Sequence, residues 1–116
     1  MSWYERLKKN AERNAEKNHM SLCPDSEQLD SLIKGLVENR ERYGYPSCPC
    51  RVSSGILEND KDIICPCDYR TPDVEEYGMC YCALYVHKDV HEGKSPLEPI
   101  PERRPYEKQL GSLGFE

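Results

Sequence analysis

The sequence predicts a small, mainly helical single domain in which N-terminal helices support a loop-rich cap of cysteines. Three observations predict this class. The clear helical periodicity lies in the first 44 residues, and six of the seven cysteines lie between residues 45 and 86. The third is that Leu, Ile, Val and Phe number only 21 of 116 residues, below the roughly 20% at which composition begins to indicate disorder. Because so few aliphatic side chains cannot offset the folding entropy by burial alone, we expect the cysteines to hold the chain together through disulfides or metal.

The first 44 residues are predicted to form two helices that act as a scaffold. The first runs from Trp3 to about Asn18 and carries a narrow apolar stripe at four-residue spacing. The second has the clearest pattern in the chain, with Asp25 available to cap its start and Gly44 to end it. The stripe of the first helix is Trp3, Leu7, Ala11 and Ala15, and the apolar face of the second is Leu29, Leu32, Ile33, Leu36 and Val37.

The remainder of the chain is predicted to form a cysteine region and a C-terminal tail. Turn residues occur throughout the cysteine region, so we expect only a short helix near residues 73–77 and a short strand at residues 83–86. Four prolines indicate that the tail wraps the surface without regular structure. The predicted organisation is one domain over residues 1–116, divided into a helical scaffold (1–44), a cysteine cluster region (45–86) and a C-terminal tail (87–116).

Composition and charge exclude several classes of protein. The longest apolar runs are a few residues, too short to span a bilayer, so we expect no membrane partner. The first twenty residues mix basic with acidic side chains and lack the apolar segment of a secretory signal. The net charge of −5 argues against a nucleic-acid partner. We therefore predict a cytoplasmic location, where clustered cysteines more often serve metal or redox chemistry than structural disulfides.

Six of the cysteines form three pairs: Cys48-Pro49-Cys50, Cys65-Pro66-Cys67 and Cys80-Tyr81-Cys82. Proline restricts the residue before it to extended backbone, so each Cys-Pro-Cys is expected to be locally extended, although a turn at the proline can splay the two sulfurs. Four thiolates suffice for a 4Fe-4S cluster, and the other two cysteines would then be enough for one disulfide. A structural zinc site also takes four ligands, although its paired cysteines are usually separated by roughly two to four residues. A framework of disulfides is the third possibility.

The ordered set of two Cys-Pro-Cys pairs and a final Cys-x-Cys pair, preceded by a helix that ends in glycine, resembles the catalytic (beta) chain of ferredoxin:thioredoxin reductase. The resemblance covers roughly residues 22–86, and the lengths of the loops between the pairs favour the non-photosynthetic, ferredoxin-dependent disulfide reductases of this family. It implies an iron-sulfur oxidoreductase that passes electrons one at a time from ferredoxin through a 4Fe-4S cluster to a redox-active disulfide. That disulfide would in turn reduce thioredoxin or a thioredoxin-like protein.

The resemblance also implies a role for each paired cysteine. Cys50 and Cys82 would form the redox-active disulfide, with Cys50 as the exposed attacking thiol and Cys82 as the partner that contacts the cluster. A small second subunit is a possible partner, because the catalytic chain pairs with one in oxygenic organisms. Two alternatives stay open, a zinc-stabilised Cys-rich interaction module and a simple iron-sulfur electron carrier. The implied cluster ligands are Cys48, Cys65, Cys67 and Cys80.

Three further features depart from the family pattern or stand outside the pairs. Tyr81 occupies the position where the resemblance expects histidine, and a phenol cannot replace an imidazole as a proton shuttle at neutral pH. Cys23 is expected to be a buried apolar residue at the entry to the second helix. The arginines that flank the first pair, which are Arg40, Arg42 and Arg51, could help to dock an acidic ferredoxin, but we expect them to lie on a solvated face.

Overall fold

The computed structural model describes residues 2–112, and the fold is mainly helical, as the sequence predicts. Within these residues, no helix is long and apolar enough to cross a membrane. The two longest helices precede all three cysteine pairs, so they are available as a scaffold for them. The elements are α1 (Trp3–Lys17), β1 (Ser21–Leu22), α2 (Ser26–Tyr43), α3 (Leu57–Asp60), a 3-10 turn (Lys61–Ile63), α4 (Arg70–Tyr77), β2 (Tyr85–Val86), α5 (Lys88–His91) and α6 (Tyr106–Ser112).

The second helix begins and ends at the residues that the sequence indicates. The Asp25 carboxylate accepts hydrogen bonds from the backbone N–H groups of Glu27 and Gln28 at 3.0 and 3.2 Å, which satisfies two of the donors left free at a helix start. Gly44 ends the helix with a φ of 89°, a left-handed conformation that glycine adopts without steric strain. Both predicted helices are therefore confirmed.

The apolar faces of the two long helices meet in a buried core that continues into the cysteine region. The hydroxyl of Tyr4 donates to the Asp30 carboxylate at 2.6 Å and adds a polar link between the helices. Because cysteines belong to the same core as the helix residues, the scaffold contacts the cysteine region directly. The core contains Leu7, Ala11 and Ala15 from α1, Leu32, Ile33 and Leu36 from α2, and Cys48, Ile63, Val74, Cys80, Cys82, Leu84 and Tyr85 from the rest of the chain.

A two-stranded antiparallel sheet ties the start of α2 to the last cysteine pair. Ser21 lies opposite Val86, and Leu22 lies opposite Tyr85. The backbone N–H of Cys23 then donates to the carbonyl of Leu84 at 3.0 Å. The short strand predicted at residues 83–86 is thus confirmed at its end, whereas its partner β1 was not predicted, since two residues carry no periodicity.

The prediction that the tail after residue 86 has no regular structure is wrong. The helix α5 begins at Lys88, where the His87 ring nitrogen accepts a hydrogen bond from the Asp89 backbone N–H at 3.0 Å. Val90 of α5 is buried with Met79, Ala83 and Val86, and α6 follows at the end of the described chain. The prolines lie between these helices or before α6, so they interrupt helical structure without preventing it.

Candidate functional site

The first and third cysteine pairs lie in tight turns. The backbone N–H of Arg51 donates to the carbonyl of Cys48 at 3.2 Å, and that of Ala83 donates to the carbonyl of Cys80 at 2.8 Å. The extended conformation predicted for the first Cys-Pro-Cys is therefore wrong, because Pro49 occupies the second position of a turn, where its fixed φ is favourable. The turn splays the sulfurs, so that Cys48 is buried and Cys50 is exposed.

A glycine in α2 lets the first pair pack closely against the scaffold. A Cβ atom at Gly35 would lie 2.7 Å from the Cβ of Pro49, which is closer than two carbon atoms can approach without repulsion. The backbone N–H of Cys48 donates to the carbonyl of Ile63 at 2.7 Å, two residues before Cys65. These contacts fix the first pair against both α2 and the second pair.

Five of the six paired cysteines line one small cavity. The Cys80 and Cys82 sulfurs lie 3.8 Å apart, and the backbone N–H of Tyr85 donates to the Cys80 sulfur at 3.3 Å. Cys50 lines a separate, solvent-open cleft with Val52. The structure therefore brings together the four cysteines predicted as ligands and leaves the predicted attacking thiol accessible. The cavity is lined by Cys48, Arg51, Cys65, Cys67, Arg70, Cys80, Tyr81, Cys82 and Tyr85.

Cys82 interacts with both the exposed thiol and the cavity thiols. Hydrogen-bonding interactions with Cys48, Cys50 and Cys80, together with burial, raise the pKa of the Cys82 thiol well above its ordinary value. The interaction with Cys82 in turn lowers the pKa of Cys50, and it lowers the pKa of Cys80 to about 7. The pKa values of Cys50 and Cys82, the two residues predicted to form the disulfide, therefore depend on each other, although Cys50 lines a separate cleft.

The remaining cavity thiols are crowded and shielded from water. Burial raises the pKa of Cys65 well above its ordinary value, and its neighbours Cys48, Cys80 and Cys67 raise it further. Burial raises the pKa of Cys67 to about 11, although the charge of Arg51 opposes this shift. Thiolates this close repel one another, and bound cationic iron would relieve that repulsion because it favours deprotonated sulfur.

Arg70 provides an independent observation on what the cavity could hold. The residue is buried, and its Nε has no hydrogen-bond partner among the described residues. Buried donors in proteins are nearly always paired, and thiolate or sulfide sulfur in the cavity could accept from it. The residues that line the cavity therefore fit an anionic iron-sulfur group, for which Cys48, Cys65, Cys67 and Cys80 are the predicted ligands. Across residues 2–112, no group of three or more His, Cys, Asp or Glu side chains is arranged to hold a single metal ion.

Arg51 is the functional residue that the sequence analysis placed wrongly. Its side chain is 2% exposed, not solvated. Its Nε and Nη2 donate to the two carboxylate oxygens of Glu102, both at 2.7 Å, while its Nη1 donates to the Cys67 sulfur at 3.2 Å. The two charges lie 51 positions apart along the chain, so no local pattern could have identified the pair.

Two tyrosine rings flank the guanidinium of Arg51. Its central carbon lies 4.7 Å from the centre of the Tyr81 ring and 5.1 Å from that of Tyr69. The Tyr69 hydroxyl donates to the Asp62 carboxylate at 2.6 Å, and Arg104 Nε donates to the same oxygen at 2.9 Å. Tyr81, which stands where the resemblance expects histidine, therefore packs against a cation.

The other residues singled out from the sequence lie away from the cavity. Cys23 is buried at the entry to α2, as predicted, and burial raises the pKa of its thiol. Arg42 pairs with Glu38 on the exposed face of α2 at 3.1 Å. The Arg40 guanidinium lies 3.2 Å from the centre of the Trp3 ring. The expectation of a solvated position thus holds for Arg42 but not for Arg51.

Known proteins similar to this chain include catalytic chains of ferredoxin-thioredoxin reductase. A family model described as ferredoxin thioredoxin reductase catalytic beta chain matches residues 2–103. The catalytic chain from Porphyra purpurea is 30% identical over 114 residues, which cover 93% of this chain and 89% of the relative. The catalytic chain from Guillardia theta is 31% identical over 85 residues, 72% of this chain and 79% of the relative. The chloroplastic catalytic chain from Arabidopsis thaliana is 30% identical over 91 residues, 72% of this chain and 56% of the relative.

Proposed function

The chain belongs to the ferredoxin-thioredoxin reductase catalytic chain family, and from this premise we propose that it is a ferredoxin-dependent reductase of protein disulfides. The membership confirms the resemblance inferred from the three cysteine pairs, and with it the prediction of an iron-sulfur oxidoreductase. In this proposal ferredoxin is the electron donor, and thioredoxin or a thioredoxin-like protein is the substrate. Cys50 and Cys82 form the redox-active disulfide, and a 4Fe-4S cluster is held by Cys48, Cys65, Cys67 and Cys80.

The separation of one exposed thiol from five cavity thiols is the observation that supports this assignment most strongly. Cys50 is exposed and opens onto a cleft lined by Val52, Tyr81 and Gln109, where the disulfide of another protein can reach it. Cys82 is buried, its sulfur lies 3.8 Å from that of Cys80, and Cys50 and Cys48 both contribute to its raised pKa. A simple electron carrier has no use for an exposed thiol next to a buried one, whereas a disulfide reductase needs both.

The chemistry of disulfide exchange assigns a step to each of the two cysteines. The Cys50 thiolate attacks the target disulfide, so a bond forms between Cys50 and one target sulfur while the target disulfide breaks. The released target sulfur takes up a proton. The Cys82 sulfur then attacks Cys50, which forms the Cys50–Cys82 disulfide and releases the second target thiol. Two electrons and two protons return that disulfide to the dithiol, and a bound cluster would supply the electrons singly.

The direction of flow follows from reduction potentials. The reduction potential of plant-type ferredoxins is about −400 mV, and that of thioredoxin is about −270 mV. The difference of ~130 mV corresponds to roughly 6 kcal/mol for two electrons, so transfer from ferredoxin to the protein disulfide is favourable.

The first experiment determines what the cysteines bind. Protein purified without oxygen is analysed for iron, sulfide and zinc, and its visible spectrum is recorded. We expect about four irons and four sulfides per chain and a brown protein. A colourless protein loaded with zinc would support the zinc-stabilised interaction module and overturn the proposal.

The second experiment separates the attacking thiol from the ligands. Cys50→Ser should keep the iron and lose reduction of a thioredoxin disulfide by chemically reduced ferredoxin, whereas Cys65→Ser should lose the iron. Cys23→Ala is the matched control, because Cys23 is buried but outside the pairs, and it should keep both iron and turnover. Turnover by Cys50→Ser at the wild-type rate would show that the nucleophile is assigned wrongly.

Three predictions concern organisation and location, and they stay predictions. The first is the division of residues 1–116 into scaffold, cysteine region and tail. The second is the small second subunit, which co-purification of the full chain from its native host would test. The third is the cytoplasmic location, which fractionation of the same cells would test.

A further inference from the structure

Arg51 contacts a predicted cluster ligand, and the way in which it is held suggests a role. Resting on the function proposed above, we propose that Arg51 is a positioning residue of the redox centre. Glu102 orients its guanidinium so that Nη1 donates to the Cys67 sulfur, and this contact raises the reduction potential of the cluster that Cys67 helps to hold.

The geometry of the guanidinium divides its donors between two partners. Glu102 accepts from Nε and Nη2 at 2.7 Å each, which is the two-point pairing that best fixes the plane of an arginine. With that edge occupied, Nη1 is directed to the Cys67 sulfur at 3.2 Å. Asp73 is a further acidic neighbour, with Oδ2 3.9 Å from Nη2, but of these carboxylates only Glu102 accepts two hydrogen bonds from the guanidinium, so the direction of Nη1 depends on Glu102.

Glu102 is itself fixed by the segment that carries it. We name residues 102–104 the C-terminal strap. The backbone N–H of Arg104 donates to Glu102 Oε1 at 2.9 Å, and the Arg104 side chain pairs with Asp62 at 2.9 Å. Between them, Arg103 pairs with Asp73 at 2.8 Å. All three residues of the strap therefore contact the cysteine region through buried or half-buried ion pairs.

The surroundings of Arg51 strengthen the effect of its charge. The rings of Tyr69 and Tyr81 flank the guanidinium, and its side chain is almost fully buried. Electrostatic interactions are less screened in such a site than in water. Tyr81 thereby has a role at the position where the family resemblance led us to expect histidine, because it covers the charge beside Cys67.

The direction of the effect follows from charge. Reduction adds an electron to the cluster and its sulfur ligands, so a nearby cation and an N–H···S hydrogen bond stabilise the reduced state. Hydrogen bonds to the sulfurs and local charge are among the factors that set the potentials of iron-sulfur clusters. Removing the Arg51 contact should therefore lower the potential.

The test measures the midpoint potential of the loaded protein by redox titration, followed by visible and electron paramagnetic resonance spectra. We expect Arg51→Gln to shift the one-electron equilibrium by about tenfold, a lowering of about 59 mV. Arg103→Gln is the matched control, because it removes a charge from the strap whose hydrogen bonds go to Asp73 and Glu76. An equal lowering in Arg103→Gln would mean that net charge matters and the contact does not, which overturns the proposal.

Glu102→Gln tests the positioning role separately. Loss of a negative charge by itself would raise the potential, whereas release of Arg51 from Cys67 would lower it. We expect Glu102→Gln to lower the potential in the wild-type background and to have no lowering effect in the Arg51→Gln background. A raised potential in the single variant, or the same lowering in both backgrounds, would contradict the role of Glu102.

A conservative variant keeps the proposal testable if Arg51→Gln does not load iron. Arg51→Lys retains the charge, but one ammonium group cannot hold both Glu102 oxygens and the Cys67 sulfur, so its potential should also fall. An unchanged potential in Arg51→Lys would overturn the proposal. Wild-type protein without an iron-sulfur cluster would instead refute the proposed function, so the two failures are distinguishable.

Discussion

Replacing Arg104 with methionine would leave a buried carboxylate without its cation. Arg104 Nε donates to Asp62 at 2.9 Å, and Nη2 donates to Asp62 at 3.3 Å and to the Asn59 carbonyl at 2.9 Å. The two charged side chains are only 2% and 6% exposed, so water cannot replace the lost partner. Methionine keeps most of the length and apolar surface of the side chain, and the change therefore isolates the charge and its hydrogen bonds.

We expect a large loss of stability, because the ion pair of Arg104 and Asp62 is buried. Removing one partner of a buried pair destabilises a protein by about 3–5 kcal/mol. The exposed pair of Arg42 and Glu38, with side chains 59% and 66% exposed, should contribute far less to stability, because water screens the attraction between its charges. Arg42→Met is therefore a matched control in which the same substitution removes a solvent-screened pair.

Thermal unfolding measures the difference. For a domain of this size, 3 kcal/mol corresponds to a fall of at least about 10 °C in Tm, and the control should lose about 2 °C. The protein is purified without oxygen, and the unfolding of wild type and both variants is followed by far-UV circular dichroism at pH 7. If Arg104→Met melts within about 3 °C of wild type, the buried pair of Arg104 and Asp62 does not stabilise the fold as its burial predicts.

The pH dependence provides a second readout of the same pair. Burial acts to raise the pKa of Asp62, but the hydrogen bonds from Arg104 and Tyr69 outweigh it and hold the pKa below its ordinary value. A depressed carboxyl pKa contributes stability above about pH 4, and this contribution is lost as the pH falls through the folded value. The Tm difference between wild type and Arg104→Met should therefore be largest above about pH 4 and should narrow as the pH falls below 4, through the lowered folded pKa of Asp62.

Three further predictions are tested in the same unfolding assay. Gly35→Ala should lower the free energy of unfolding by about 1–3 kcal/mol, because the new Cβ would meet the Cβ of Pro49 at 2.7 Å. We expect this repulsion to outweigh the greater helix propensity of alanine, which is about 1 kcal/mol. An unchanged or raised Tm would contradict the close contact. Asp25→Ala should lower the free energy of unfolding by about 1 kcal/mol, because it removes the N-cap of α2. Asp25→Asn should keep most of that stability, because asparagine can also cap the helix. Tyr4→Phe should lower the Tm, because it removes the hydrogen bond that the Tyr4 hydroxyl donates to Asp30, and no change would mean that this bond does not hold α1 to α2.

The parts of the fold that could be predicted are those specified by nearby residues. The stripe of α1 and the capped, Gly44-terminated pattern of α2 repeat at helical spacing, and both helices form. The tail was predicted wrongly because proline content describes local backbone preference. Val90 is buried against residues of the last cysteine turn, and that packing, which proline content does not report, holds the short helix α5 in place.

In the candidate site, too, the sequence predicted what nearby residues specify and not what contacts between distant residues specify. The spacing of the cysteines within each pair was enough to suggest a family, whereas burial of Arg51 depends on Glu102, which is distant in sequence. An arginine next to an exposed cysteine has no local feature that distinguishes a solvated side chain from a buried one. Only the folded chain shows that the strap supplies its counter-charge.

The position of the C-terminal strap along the chain has a consequence for the order of folding. The contacts of Glu102 with Arg51 and of Arg104 with Asp62 span 51 and 42 positions, and such long loops close late because of their entropic cost. A chain made from its N-terminus exposes every cysteine pair before the strap has been synthesised. We therefore expect the charges of Arg51 and Asp62 to become fully paired only after residues 102–104 have been added, so the cysteine region is completed last.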